Sequence, residues 1–316
     1  MEMTQLLQKI FERVFAPGHP AGAAEQDALL HQAVDHLVQR IDPGLCALGD
    51  YQARLRPAVE LALEHIDGIV EAVPEGFVCS RRNYLQDRRV NAFFVSPDHL
   101  SEVFSASREL RDLFQADAAL EQAWGLLCMR RRQQRRLGMG LLGDTLVRDL
   151  AQQVVSFGKH QLLSPGEDLA AARKALKCCI FNNLLDYIKT GLVTGSDDRA
   201  ANFGGGGGDN GGASPSAIAF RAPVRAMPLR QRLQRVVEGL RQPQRFVRLR
   251  QLELRLDRMG VMQEAADVDR LLEPLRLSEI EIAGRGARVA ALVAVRREDL
   301  LPAQDMARNA EIFLAM

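Results

Sequence analysis

Residues 124–163 read WGLLCMRRRQQRRLGMGLLGDTLVRDLAQQVVSFGKHQLL, and their reading decides the fold class. Leu126, Cys128 and Arg130 alternate with Leu127, Met129 and Arg131, the period-two pattern of a strand. Gln133-Gln134 suits a turn. Beyond it Leu137, Met139 and Leu141 alternate with Gly138, Gly140 and Leu142. Gln152 to Leu163, with Val154, Val155 and Phe157, is a third β-compatible stretch. The reading is a small antiparallel meander. The alternative is a helix capped by Asp144 and carrying Leu146, Val147, Leu150 and Val154.

The chain before this region is helical. Leu6, Leu7, Ile10, Phe11, Val14 and Phe15 recur at helical spacing, as do Leu29, Leu30, Ala33, Leu37 and Ile41, the latter ended by Asp42-Pro43-Gly44. A third stripe joins Val59, Ala62, Leu63, Ile66, Ile69, Val70 and Val73. Pro57 falls in its first turn, or inside it if the helix starts near Asp50. Ser96-Pro97-Asp98 is an N-cap with Pro at the first helical position, leading into Leu100, Val103 and Phe104. Ser164-Pro165-Gly166-Glu167 has the spacing of a capping box. The helix it opens would place Leu169, Ala172, Leu176, Cys179, Ile180, Asn183, Leu184 and Tyr187 on one face and stop at Gly191.

From Thr194 to Ser216 the chain reads TGSDDRAANFGGGGGDNGGASPS, which has little to bury and many glycines to order. A phosphate-binding loop would need Lys-Ser or Lys-Thr after its glycines and a strand before them. The segment reads as a flexible linker. Beyond it, Leu229, Leu233, Val236, Val237 and Leu240 make a helix. The run RFVRLRQLELRLDRMGV (245–261) suits a strand with a bulge near Gln251, or a helix on Leu249, Leu252, Leu256 and Met259. Glu264 to Leu272 is helical. Leu277 to Ile282 and Arg288 to Val295, joined by Ala283-Gly284-Arg285-Gly286, form a hairpin. Pro302 to Leu314 closes as a helix. The expected class is α+β: a helix-rich part with a small antiparallel sheet at 1–193, a Gly-rich linker at 194–216 and a smaller α+β part at 217–316.

Length and composition exclude several classes. The 316 residues are 47% hydrophobic and 26% charged, a globular balance that can build its own core. No apolar run approaches the roughly 18 residues of a membrane span. The N-terminus lacks a basic region followed by an apolar stretch, so a secretory signal is not expected. Five unevenly spaced cysteines are not a disulfide framework and point to reduced thiols in a cytoplasm. Cys79, next to Arg81 and Arg82, would react faster than Cys178 and Cys179.

Chemistry-bearing motifs are few. Gly138, Gly140 and Gly143 match the dinucleotide-binding glycine spacing, but Arg130, Arg131, Arg132, Arg135 and Arg136 stand where an apolar strand should precede them. No H-x-x-x-H or C-x-x-C pair and no G-x-S-x-G elbow is present, so no metal, cofactor or catalytic set is expected. The same five arginines, with no acid among them, are the candidate contact to an anion or a partner. They could neutralise phosphates, or be solvated or paired to the chain's own acids. Residues 221–258 carry eleven Arg and three acids, although the whole chain is nearly neutral at +1. Only five of the 41 basic residues are Lys; GC-rich codon usage is the first explanation, and selection for bidentate anion contacts by Arg the second. The expectation is a non-enzymatic cytoplasmic protein-interaction or regulatory module. Nucleic-acid binding through 130–136 and 221–258 comes second, and an enzyme with a dispersed site third.

Overall fold

The computed structural model describes residues 7–11, 23–142, 145–194, 227–263 and 273–302. The Gly-rich stretch after Thr194, the expected helix at 264–272, the closing helix beyond 302 and the cap at Asp144 lie outside the described residues. The fold is α+β. In chain order, helices α1 (Ala23–Ile41) and α2 (Tyr51–Glu71) are followed by strand β1 (Phe77–Val78). Helices α3 (Arg88–Phe93), α4 (Pro97–Ala106) and α5 (Arg108–Ala116) come next, then strands β2 (Gln122–Leu142) and β3 (Thr145–Gly166). Helices α6 (Leu169–Thr194) and α7 (Leu229–Arg241) precede strands β4 (Val247–Leu254), β5 (Leu275–Ile282) and β6 (Gly286–Arg296).

The chain divides into two compact units. One comprises residues 1–70, 177–248 and 281–286, the other 71–176, 249–280 and 287–316. The sequence segments 1–193 and 217–316 therefore each contribute to both units.

The first unit is helical. α1 buries Leu29, Leu30, Ala33, Val34, Leu37, Val38 and Ile41, and α2 buries Leu55, Ala58, Val59, Ala62, Leu63, Ile66, Ile69 and Val70. Both are the i, i+3, i+4 stripes of amphipathic helices. α1 stops where expected, because Asp42 turns its carboxylate onto the Gly44 N–H at 3.0 Å. Pro57 is inside α2, which starts at Tyr51, so the first-turn placement is set aside in favour of the earlier start. α7 lies close enough to α6 that a Cβ on Gly239 would meet Ile188 Cγ1 at 2.9 Å.

The second unit is built on the sheet, whose strand order is β3-β2-β6-β5-β4, with β1 pairing parallel to β6 through Phe77↔Val293 and Val78↔Ala294. The 245–261 ambiguity resolves to strand β4, and the hairpin expected after Leu277 is β5–β6, turning through Gly284 and Gly286 at φ +76° and +71°. β6 buries residues on both faces, Val289 and Ala290 then Leu292 to Val295, which explains its uninterrupted apolar sequence. Phe93, Phe104, Leu110, Phe114, Leu127, Met129, Phe157 and Val293 belong to one core cluster, and the Phe93 and Phe157 rings meet edge-on at 5.2 Å. Ser96 caps α4 as expected, accepting the His99 N–H at 3.1 Å.

Five local expectations fail. There is no turn at Gln133-Gln134: Gln133 pairs with Val155 and Gln134 with Val154, so the meander is one long hairpin. Two Gln supply neither the positive φ nor the fixed φ of a tight turn, and the ladder runs through them. Ser164 to Glu167 do not cap a helix. β3 continues to Gly166, which pairs with Trp124, and the cap is Asp168, whose Oδ1 accepts the Ala171 N–H at 2.7 Å. A ladder of backbone bonds outweighs a cap worth about 1 kcal/mol. Gly191 does not end α6, which reaches Thr194. Of the face expected for that helix, Ala172, Leu176, Ile180 and Leu184 are buried, with Cys178, Phe181, Leu185 and Ile188 buried beside them, while Cys179 is half-buried. Cys79 is fully buried, and burial pushes its thiol well up, so its expected reactivity is also overturned.

Candidate functional site

β2 and β3 are 21 and 22 residues long, each about 70 Å if straight at roughly 3.4 Å per residue. β2 is bonded to β6 only from Gln122↔Arg296 to Met129↔Val289. After Met129 it pairs with β3 alone, so Arg130 is the first residue of a ribbon that leaves β6, two strands wide except where 260–262 borders β3 at 153–155.

Three irregularities shape this ribbon. The register shifts between Trp124 and Leu126, between Cys128 and Arg130, and between Gly138 and Gly140. At each shift β3 carries one extra residue, and in each bulge one residue has a positive φ: Ser164 at +51°, Lys159 at +52° and Asp149 at +66°. These are β-bulges, which bend a strand and raise its twist. Between the last two, from Arg130↔Gly158 to Gly138↔Leu150, the ladder is regular.

Strand alternation sorts the five candidate arginines onto two faces. Arg130, Arg132 and Arg136 share one face with Gln134, opposite Gly158, Ser156, Gln152 and Val154 of β3. Arg131 and Arg135 share the other with Gln133, opposite Phe157, Gln153 and Val155. That second face is tied down at its base: Val155 and Phe157 are buried, and Arg131 Nη2 lies 3.5 Å from Glu279 Oε1 of β5. The first face is open. Arg130, Arg132, Gln134 and Arg136 are all exposed.

Among the described residues no carboxylate lies within 4.0 Å of Arg130, Arg132, Arg135 or Arg136. Arg136 Nη2 donates to Gln134 Oε1 at 3.2 Å, which uses one of its five N–H groups. Residues 130–158 hold six Arg against Asp144 and Asp149, a net of +4. The expectation that these arginines pair with the chain's own acids holds for Arg131 alone among the described residues. Of the arginines of 221–258, Arg232 reaches Asp42 at 2.9 Å and Arg248 donates to the Gln244 carbonyl at 2.8 Å, while Arg230, Arg235, Arg241, Arg245, Arg255 and Arg258 have no carboxylate within 4.0 Å among the described residues. Gly138 and Gly140 lie within β2, paired to Leu150 and Val147, rather than at a strand-to-helix turn.

Sequence reading missed two parts of the site. Arg148, exposed on β3, was hidden by the unexpected length of that strand. The segment after β4 flanks the outer edge of β3: Val155 donates to the Gly260 carbonyl at 2.8 Å and Met262 to the Gln153 carbonyl at 2.7 Å. Asp257 builds its turn by accepting the Met259 and Val261 N–H groups, each at 2.8 Å. The Asp-x-x-Gly spacing of Asp257 and Gly260 was the available signal.

At the other end of the regular ladder, His160 lies in the bulge beside Lys159 and fixes the ribbon's base. Its Nε2 is 2.8 Å from the Phe93 carbonyl, and its ring stacks on Phe94 at 5.0 Å. Among the described residues no group of three His, Cys, Asp or Glu is placed to hold a metal ion, and no helix is long and apolar enough to cross a membrane. The chain has no significant match among protein-family models, curated proteins or solved structures.

Proposed function

We propose that the protein is a non-enzymatic nucleic-acid-binding protein whose contact element is the β2–β3 ribbon. The observation that carries this reading is the set Arg130, Arg132, Arg135 and Arg136, exposed on a ribbon beyond the sheet and without a carboxylate partner among the described residues. Guanidinium groups held this way keep their donors for the acceptors of a nucleic acid, phosphate oxygens or base edges, which they take bidentately. Within 221–258, Arg232 enters this reading less, because it is engaged by Asp42 inside its own unit.

The test is the salt dependence of binding to a labelled duplex. Each phosphate contact contributes about −0.9 to the log–log slope. Changing Arg130, Arg132, Arg135 and Arg136 together to Gln should flatten the slope by roughly three units and weaken binding to every sequence. An unchanged slope, or no complex with DNA or RNA at about 0.05 M salt, overturns the proposal. A protein partner is the second reading, favoured by Leu137 and Met139, which are 69% and 63% exposed near the ribbon's end.

A further inference from the structure

We infer that the open face of the ribbon enters the major groove of a DNA duplex and reads base edges, with Arg130, Arg132 and Arg136 directed at guanines and Gln134 at an adenine. This rests on the nucleic-acid reading above and names the form of nucleic acid and the side of the ribbon. Three observations carry it.

The first is which face is free. Arg131 is engaged by Glu279, and Phe157 packs on Phe93, so the odd-numbered face of β2 is committed to its own unit at the ribbon's base. The even-numbered face carries Arg130, Arg132, Gln134 and Arg136, with Gly158, Ser156, Val154 and Gln152 opposite. No acid stands among these eight residues. Gly158 and Ser156 are small enough to let the β3 side approach a ligand closely.

The second is the side-chain chemistry. Arg presents paired donors that match O6 and N7 of guanine, and Gln a donor and acceptor that match N6 and N7 of adenine. Arg on a phosphate gives affinity without sequence, whereas Arg and Gln interleaved on one face are the direct-readout set. Positions 130–136 and 152–156 contain no Phe, Tyr or Trp. A single strand would have no ring to stack on there.

The third is dimension. Two residues along a strand advance about 6.8 Å, which equals two base-pair steps of about 3.4 Å. Side chains on one strand face therefore meet every second base pair. Arg130 to Arg136 spans about 20 Å, or about six base pairs. The regular ladder covers this interval without a bulge, from Arg130↔Gly158 to Gly138↔Leu150, so the spacing is kept throughout. Two strands about 4.8 Å apart, or about 9.6 Å across where the 260–262 segment borders β3 at 153–155, fit a groove about 12 Å wide.

The experiment selects tight binders from a randomised DNA duplex using the full chain, then measures affinity for the selected duplex with guanine replaced by 7-deazaguanine. Selection should yield a guanine-containing site of about six base pairs. Removing N7 from one contacted guanine should weaken binding about tenfold. The variant Arg130→Lys, Arg132→Lys, Arg136→Lys keeps the charge and loses the fork. It should keep most of the salt dependence and lose most of the preference for the selected site, because an ammonium cannot hold O6 and N7 as a planar fork does. Its circular dichroism melt should match the parent, because all three positions are exposed. Binding that depends on salt but not on sequence or N7 overturns the major-groove assignment and leaves the phosphate reading intact. Preference for single-stranded DNA, or for vesicles of anionic lipid over any duplex, also overturns it. Absence of binding to every nucleic acid removes both.

Discussion

Arg131 Nη2 sits 3.5 Å from Glu279 Oε1, joining the first turn-out of the ribbon to strand β5 across 148 residues of sequence. Both groups are mostly buried, with side-chain exposures of 25% and 12%. Removing one partner leaves the other charge poorly solvated, a cost of about 1–3 kcal/mol. Arg131→Gln and Glu279→Gln should each lower the urea midpoint, while the double substitution recovers part of the loss. Neither should change the salt slope of nucleic-acid binding. If Arg131→Gln flattens that slope as much as Arg132→Gln does, the two-face division of the ribbon is wrong.

Gly260 has φ +78° and sits against the ribbon so closely that a Cβ would come within 2.6 Å of the Val155 carbonyl oxygen. Its own carbonyl accepts the Val155 N–H. Gly260→Ala therefore combines an unfavourable backbone angle with a clash against a fixed backbone atom, at a cost of about 1–3 kcal/mol. Amide exchange should rise first at Val155 and Met262, the two donors of this junction. Exchange that rises uniformly across the sheet, or not at all, contradicts the local role given to this segment.

The residues themselves show why parts of this architecture were legible and parts were not. The α1 and α2 stripes, the Ser96 cap and the Gly284-Arg285-Gly286 hairpin depend on neighbours within one or two turns of chain, and period and cap chemistry reveal such features. From Arg130 to Gly138 the ribbon depends on partners twenty-eight down to twelve residues apart. Nothing local in Gln133-Gln134 says that Val155 and Val154 lie opposite them. The bulges are equally silent, because Asp149, Lys159 and Ser164 are not the glycines that normally mark a positive φ. The arginine cluster itself was visible in the sequence. Its division into an engaged and an open face was not, since that needs the strand register and the position of Glu279.

His160 joins the ribbon to the end of α3, and burial pulls its pKa below the usual 6.5, against a smaller upward pull from its bond to the Phe93 carbonyl; His99 adds a further downward pull. The two imidazoles are 5.0 Å apart, centroid to centroid. The unfolded chain takes up a proton near pH 6.5 and the folded chain only below that, so the unfolded state binds more protons in between. The contribution is present above about pH 6.5 and is lost as pH falls below it. Urea midpoints of the parent and His160→Gln, compared at pH 7.5 and 5.5, should show a larger acid-induced loss in the parent. Equal losses would place the acid sensitivity elsewhere.

The glycine run at 204–208 tests the division of the chain. Loop tips are preferred sites of limited proteolysis, so the linker read from the sequence predicts that a broad-specificity protease cuts first between Thr194 and Ser216. Both compact units draw residues from each side of that segment: the first from 1–70 and 177–248, the second from 71–176, 249–280 and 287–316. The two resulting fragments each supply buried residues to both units, for example Leu37 with Leu233 in the first and Leu127 with Val293 in the second. They should therefore stay together through size exclusion and part only in denaturant, with the melting temperature lowered by a few degrees as the covalent link is lost. Fragments that separate without denaturant and melt on their own would show that 1–193 and 217–316 are independent domains. Slow cleavage throughout 194–216 would show that the segment is not a linker.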